Sequence, residues 1–345
     1  MNLSNILITG GTGSFGKEFV KNCILSKKYK KIIIYSRDEL KQYEMKNELI
    51  KLSDNKKINI KNLRFFLGDI RDKDRLDFAM DKIDIVIHAA ALKQVPAAEY
   101  NPFEFVKTNI IGSQNIIESA LKNKVKKVLA LSTDKASSPS NLYGATKLTA
   151  DKMFIAANNY RGSNETKFSV IRYGNVMGSR GSVLPMIYKK IDSKIFPLTD
   201  KNMTRFNITL DESINFVNMF LKLMIGGELF VPKLPSFKVT DLVKAVSKDF
   251  NFRILGLRPG EKLHEEMISF SDSLNTLELK KFYIICPKSE FLNKTIDDYM
   301  IKYKNYSPKK IKKNFSYNSK SNKDYLKIAE IKKILLKNNF VNETN

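Results

Sequence analysis

Apolar residues in the first half of the chain fall in short, nearly unbroken runs, separated by longer stretches in which they recur every three or four positions. Residues 6–8, 31–35, 63–67, 84–88, 127–131 and 168–172 are runs rich in Ile, Val, Leu and Phe, and they predict strands. Residues 14–25, 39–52, 73–80, 103–122 and 143–160 carry the helical spacing. Because the strand runs are continuous rather than alternating, both faces of each strand should be buried. Strand–helix alternation of this kind predicts the α/β class, a doubly wound parallel sheet with right-handed crossovers.

After Arg172 the rhythm breaks. Residues 174–205 are rich in Gly, Pro and polar side chains, and the spacing then predicts a helix over 210–225 and a strand over 228–231. The expected organisation is a sheet domain over 1–175 to which 206–235 returns, with a smaller lobe from 176–205 and 236–290. One more strand of that lobe should rejoin the sheet. Residues 291–345 read as a Lys-rich extension. Within it, Leu326, Ile328, Ile331, Ile334 and Leu335 have the spacing of a short terminal helix over 324–336.

Composition alters this picture little. The chain has 345 residues with 43% hydrophobic content, enough for buried cores. Cys23 and Cys286 lie far apart, which excludes a disulfide framework, and two histidines leave no basis for a metal site. No apolar run approaches the ~20 residues that span a bilayer, and residues 1–9 lack the layout of a signal peptide. A cytoplasmic setting is the expectation. The formal charge of +24 suggests nucleic acid. Its distribution argues against that: residues 301–337 hold twelve Lys against Asp324 and Glu330, a net of +10, and the remaining charge is thinly spread. There is no Arg-rich stripe and no basic patch interleaved with aromatics. Neither a nucleic-acid nor a membrane partner is expected.

Two motifs carry chemistry. The first strand runs into Gly10-Gly11-Thr12-Gly13-Ser14-Phe15-Gly16, followed by a helix. A glycine-rich turn between a buried strand and a helix N-terminus presents backbone N–H groups and the positive dipole end to a pyrophosphate. Gly10 suits the tight turn, Gly13 the close approach of phosphate, and Gly16 the packing of helix on strand. A dinucleotide is therefore expected against Gly10, Thr12, Gly13, Ser14, Phe15 and Gly16. At the tip of the second strand stand Ser36, Arg37 and Asp38, with Lys41 one turn on. Hydroxyl, guanidinium and ammonium suit a 2′-phosphate, so NADP is the expected cofactor. Asp38 has a ribose or a helix cap as its other uses. Asp69 and Ile70 follow the third strand, with Asp69 suited to the adenine amino group. The small residues Ala89 and Ala91 leave room after the fourth, and His88 reads as a packed histidine.

The second motif begins with Thr133-Asp134-Lys135 at the tip of the fifth strand and continues with Tyr143 and Lys147 four apart on one helix face. An ammonium near the phenol should draw its pKa down from about 10.

Together these stretches resemble the extended short-chain dehydrogenase/reductase superfamily with its NAD(P)-binding Rossmann sheet. Within it, the chain is similar to the inverting UDP-N-acetylglucosamine 4,6-dehydratases that open pseudaminic acid biosynthesis. The matching segments include TGGTGSFGK (9–17), YSRDELKQ (35–42), GDIRD (68–72), HAAALKQVPAAEYNP (88–102), LSTDKA (131–136), NLYGATKL (141–148), RYGNVMGSRGSVLP (172–185), MTRFNITLDE (203–212) and RPGEKLHE (258–265). Epimerases of the superfamily need only the Thr/Tyr/Lys set, and retaining dehydratases carry Asp-Glu where this chain has Asp134-Lys135.

The resemblance implies catalytic roles for Thr133, Asp134, Lys135, Tyr143 and Lys147, with Tyr143 taking the O4 proton, Lys135 the C5 proton and Asp134 protonating the departing C6 hydroxyl. To act as a base Lys135 must be neutral, through burial or a neighbouring cation such as Lys147. Tyr143, Lys147 and Lys93 would also touch the cofactor. Lys93, Asn175, Arg205, Arg258 and Glu261 would bind the UDP-sugar, and His264 would belong to a helix after the Arg258 turn. A homo-oligomer, with a hexamer as the candidate form, is implied too. The chain departs from the family pattern at Gln94 and Asn207, which bear on sugar selectivity.

Overall fold

The computed structural model describes residues 4–179, 181–287, 294–312, 314–338 and 340. The first half alternates as its hydrophobic pattern requires: β1 (Ser4–Thr9), α1 (Ser14–Ser26), β2 (Tyr29–Ser36), α2 (Glu39–Lys56), β3 (Leu63–Leu67), α3 (Lys73–Ala79) and β4 (Ile85–His88). Next come α4 (Val95–Tyr100), α5 (Pro102–Phe105), α6 (Gly112–Lys122), β5 (Lys127–Thr133), α7 (Leu142–Ala156) and β6 (Lys167–Tyr173). Ile6, Leu7 and Ile8 are wholly buried, with Ile6 level with Ile32 on one side and Ile85 on the other. All the pairings from β3 through β2, β1, β4 and β5 to β6 are parallel. Strand order reverses between β1 and β4, so the loops leaving these two strands diverge and open a crevice at the carboxyl edge of the sheet.

The expected helix over 103–122 is interrupted. Pro102 starts α5, the backbone widens to π-helical geometry over Val106–Ile111, and α6 follows. The widened turn has a tertiary cause. Asn109 Oδ1 accepts from the Leu92 N–H at 2.9 Å, while its Nδ2 donates to the Leu92 carbonyl (2.9 Å) and Thr146 Oγ1 (3.1 Å). This side chain ties the loop after β4 to α7.

The later chain contributes β7 (Asn175–Val176), α8 (Val183–Tyr188), β8 (Ile195–Leu198), β9 (Thr204–Ile208), α9 (Leu210–Leu223) and β10 (Leu229–Pro232). It continues with β11 (Ser236–Lys238), α10 (Val239–Val246), β12 (Asn251–Ile254), β13 (Glu266–Ile268), α11 (Phe270–Ser273), β14 (Thr276–Glu278) and β15 (Phe282–Ile285). Strand β10 extends the parallel sheet beside β6. Where one returning strand was expected, β15, β14 and the short β16 (Lys309–Lys310) add an antiparallel edge and bring the sheet to ten strands among the described residues.

The Lys-rich segment is built into this structure, although the expected boundary near 290 lies outside the described residues. Tyr299 and Tyr303 are buried against the sheet, and the Tyr303 hydroxyl donates to Glu228 Oε1 at 2.7 Å. Further on, β17 (Tyr317–Asn318) pairs antiparallel with β13. The terminal helix spans Ile328–Lys337 rather than 324–336, because the backbone at Asp324 and Leu326 is taken up by hydrogen bonds to Ser236 (2.8 and 2.7 Å). Its Ile331 and Leu335 are fully buried with Leu184, Ile187, Phe196 and Val243 in a second core, the core of the smaller lobe. Leu335→Ala should therefore cost about 2–5 kcal/mol of stability. A urea unfolding curve checks this, and an unchanged midpoint contradicts it.

Candidate active site

A cleft of about 1270 Å³ runs along the carboxyl edge of the sheet and under the smaller lobe. Its cofactor end is lined by Gly10, Thr12, Gly13, Ser14, Phe15, Gly16, Ser36, Arg37, Asp38, Lys41, Asp69, Ile70, Ala89, Ala91 and Lys93. Thr133, Lys135 and Tyr143 line its middle, and Asn175, Arg205, Arg258 and Glu261 the far side. Asp134 and Lys147, also expected at the site, stand behind the wall, fully and nearly fully buried.

The glycine turn has the shape a pyrophosphate needs. Gly16 carries helix α1 against the turn so closely that a Cβ there would lie 2.5 Å from the Gly11 carbonyl oxygen. No side chain caps α1 and no acidic residue lies in its first turn, so the positive end of its dipole faces the cleft. Around the tip of β2 the acids already hold cations. Asp38 caps α2 by accepting from the Lys41 N–H at 3.0 Å, and its other oxygen pairs with the Lys41 ammonium. Asp69 accepts from Arg71 at 2.7 Å and lies 3.5 Å from Arg37, and those arginines hold its carboxyl below the usual range despite partial burial. These residues fit the nucleotide end of a nicotinamide dinucleotide.

At the centre, β5 ends and the chain turns tightly over Asp134–Ala136 before α7. Helix α7 packs on this turn because residue 144 is glycine: a Cβ there would meet the Lys135 carbonyl oxygen at 2.2 Å. Asn141 caps the helix, accepting from the Gly144 N–H at 2.9 Å. Asp134 Oδ1 accepts from the Thr133 hydroxyl (3.0 Å) and the Lys135 ammonium (3.1 Å), while its Oδ2 is buried without a partner. Burial pushes the Asp134 carboxyl above its ordinary range against the pull of Lys135. A carboxylate oxygen buried without a donor carries a desolvation cost, which acts in the same upward direction.

Two expectations about protons are corrected. Burial pushes the Tyr143 hydroxyl up to about 12 instead of letting a cation draw it down, and Lys135 supplies the largest opposing pull. Lys147 was the expected partner, but its Nζ donates to the Leu131 carbonyl at 2.8 Å; its own pKa is lowered by burial. Lys135 was expected to be depressed. Burial does act that way, but Asp134 and Glu265 outweigh it and hold the ammonium above its ordinary value.

Glu265 was not expected at the site. It is buried at the cleft wall, and its Oε1 lies 3.1 Å from Lys135 Nζ and 3.6 Å from Arg205 Nε. Nothing local in the sequence marks it beyond its place as the last residue of the RPGEKLHE stretch, because the lysine it meets lies 130 positions away. No helix follows the Arg258 turn, so His264 is not helical; it bridges to Thr204, whose Oγ1 lies 2.8 Å from its Nδ1. Arg258 and Glu261 form a two-point ion pair with both contacts at 3.0 Å. Gln94 lines the cleft, while Asn207 is buried in β9 opposite Asn175. His88 is buried as expected, its Nδ1 2.9 Å from Thr9 Oγ1. Among the described residues no group of His, Cys, Asp and Glu could hold a metal ion, and no helix is long and apolar enough to cross a membrane.

Comparison with known proteins places this cleft in a family. The model of the polysaccharide biosynthesis protein family matches residues 6–287. The chain is 50% identical over 336 residues to a Campylobacter jejuni protein named UDP-N-acetylglucosamine 4,6-dehydratase (inverting), covering 97% of this chain and 98% of that one. It is 40% identical over 347 residues to a Rickettsia canadensis protein named UDP-glucose 4-epimerase, covering 98% and 97%. The X-ray structure of Pen from Bacillus thuringiensis superposes with a TM-score of 0.85 at 37% identity, covering 98% of each chain. With the glycine turn, the Thr133–Lys147 cluster and the two-lobed cleft already in place, this chain belongs to the polysaccharide biosynthesis protein family, among the extended short-chain dehydrogenase/reductases that include the inverting UDP-N-acetylglucosamine 4,6-dehydratases.

Proposed function

We propose that the protein dehydrates UDP-N-acetylglucosamine across C5 and C6 with inversion at C5, giving the 4-keto-6-deoxy sugar nucleotide that enters pseudaminic acid biosynthesis. The observation that carries the reading is the Asp134–Lys135 pair at the tip of β5, with Asp134 fully buried, Lys135 facing the cleft and Tyr143 beside them. A simple 4-epimerase has no use for a second acid and a second base at that place. The 50% identity to the C. jejuni dehydratase supports the same choice.

A nicotinamide dinucleotide, which Gly10, Thr12, Gly13, Ser14, Phe15 and Gly16 would hold at the pyrophosphate, would supply the redox chemistry, hydride transfer from C4 and back to C6. Tyr143, in its phenolate form, receives the O4 proton as C4 is oxidised, and Lys135 is the cation that favours that form. The resulting 4-ketone acidifies the C5 proton. Lys135, in its free-amine form, takes that proton. Asp134, in its acid form, passes its own proton to the C6 hydroxyl, which leaves as water while the C5–C6 double bond forms. Return of hydride to C6 and of a proton to the opposite face of C5 gives the inverted product. Lys93, Asn175, Arg205, Arg258 and Glu261 are the side chains we assign to the nucleotide sugar; cations among them suit a diphosphate.

For the cofactor we infer NADP, because Asp38 and Asp69 already hold Lys41, Arg37 and Arg71 instead of presenting a lone acid to a ribose 2′-hydroxyl. Fluorescence titration should show NADP binding tighter than NAD. Arg37→Ala should weaken NADP by about tenfold to a hundredfold, as loss of a charge-assisted bond does, with NAD little changed. Tighter NAD binding by the unaltered protein contradicts this inference.

The reaction itself is tested by incubating the protein with UDP-N-acetylglucosamine and NADP in D₂O and following the sugar by NMR. The expected product has a C6 methyl, deuterium at C5 and inverted C5 configuration, with no net formation of NADPH. A 4-epimer with its C6 hydroxyl intact overturns the reading in favour of the epimerase named among the relatives, and an unlabelled or retained C5 overturns the inversion.

A further inference from the structure

Glu265 is a buried acid with no role so far, and its surroundings are unusual. It immediately precedes β13, and nothing on the β5–α7 turn requires a carboxylate from this distant part of the chain. Yet its Oε1 stands 3.1 Å from Lys135 Nζ, as close as Asp134 Oδ1 does on the other side. The ammonium is thus held between two buried carboxylates that come from different lobes. Asn175 Oδ1, at 3.5 Å, is a third and weaker acceptor. Glu265 Oε2 is buried with no hydrogen-bond partner, a cost that an acid kept only for packing would not carry.

The backbone under Glu265 is anchored with equal care. Its N–H donates to Ser319 Oγ at 2.9 Å, and the Ser319 N–H donates back to the Glu265 carbonyl at 2.8 Å. Ser319 Oγ also lies 2.7 Å from Thr204 Oγ1, next to Arg205. The Lys-rich terminal segment therefore holds the backbone of Glu265 through one serine.

The geometry points to Glu265 as the positioning residue for Lys135: it aims the ammonium nitrogen into the cleft, and its charge decides the pH at which that nitrogen becomes a base. This rests on the assignment of Lys135 as the group that takes the C5 proton. The charged neighbours can be named from every side. Asp134 belongs to the same turn as Lys135, Tyr143 to α7 and Arg205 to β9; Lys262 faces Glu265, and Glu261 lies 4.0 Å from Arg205. Lys135 itself, then Arg205 and Lys262, hold the Glu265 carboxyl below its ordinary range against the desolvation of burial, and the two outer cations remain beside it when Lys135 changes state.

The sign follows. A carboxylate beside an ammonium favours the charged form, so removing Glu265's charge makes Lys135 release its proton more readily. The exchange of the C5 hydrogen with solvent should rise with pH as Lys135 loses its proton. In Glu265→Gln, which keeps shape and removes charge, that rise should move to lower pH by about one unit. Its plateau should fall about tenfold or more, because the nitrogen is no longer aimed. Glu265→Asp keeps the charge but draws it back, so it should hold the rise near its original pH while losing plateau rate.

The experiment uses the full-length protein with NADP and UDP-N-acetylglucosamine in buffered D₂O, reading C5 deuteration by NMR across pH for all three proteins. A rise displaced downward in Glu265→Gln and retained in Glu265→Asp supports the inference. An undisplaced rise in Glu265→Gln, or identical profiles for the two variants, overturns it. Absence of C5 deuteration in the unaltered protein is a different failure: it removes Lys135's assigned role, and the inference falls with it. Should Glu265→Gln not fold, Ser319→Ala, which loosens the anchor without touching the charge, is expected to lower the plateau at an unmoved pH. An unchanged plateau in that variant overturns the inference.

Discussion

A single ammonium shared by two buried carboxylates sets the terms for the rest of this molecule. Lys135 pairs with Asp134 on its own turn and with Glu265 from the other lobe. In a medium of low effective dielectric such an arrangement is stable only when the partners are close and their remaining polar atoms are placed. The fold places them from three directions. Strand β5 delivers Asp134 and Lys135, Gly144 lets α7 bring Tyr143 against the same turn, and β13 with its partner strand β17 brings in Glu265. Two oxygens, Asp134 Oδ2 and Glu265 Oε2, are left without partners. Such a buried cost at a cleft wall is what a site built to move protons retains.

The same constraint explains why the terminal segment is folded in rather than hanging free. Its aromatic residues Tyr299 and Tyr303 close the antiparallel edge of the sheet, its final helix completes the core of the smaller lobe, and between them Ser319 holds the backbone of Glu265. The lysines of this segment lie mainly on its outer side, in solvent. Bulk charge of +24 is thus a poor guide to chemistry here, since the cation that matters most is the partly buried Lys135.

Much of this was legible in the sequence. Continuous Ile/Val/Leu runs located the parallel strands to within a residue or two, because a strand covered on both faces admits little else. The glycine turn and the Thr133–Lys147 spacing are local features and needed no tertiary knowledge. What escaped was non-local. Asn109 widens α5–α6 through bonds to Leu92 and Thr146, Ser236 holds residues 324–326 extended, and Glu265 meets Lys135 across 130 positions of chain. The proton expectations failed for a related reason. Spacing put Lys147 next to Tyr143, but it cannot show that the ammonium turns to the Leu131 carbonyl, or that burial outweighs a nearby charge at the phenol.

The central claim is that Lys135 removes the C5 proton as a step separate from oxidation at C4. The most direct measurement is a single turnover of Lys135→Ala with UDP-N-acetylglucosamine and NADP in D₂O, following the nicotinamide absorbance together with deuterium at C5. The account predicts that C4 oxidation still occurs, seen as reduced cofactor that accumulates on the protein, while C5 deuteration is abolished. Deuteration of C5 at the rate of the unaltered protein would contradict it.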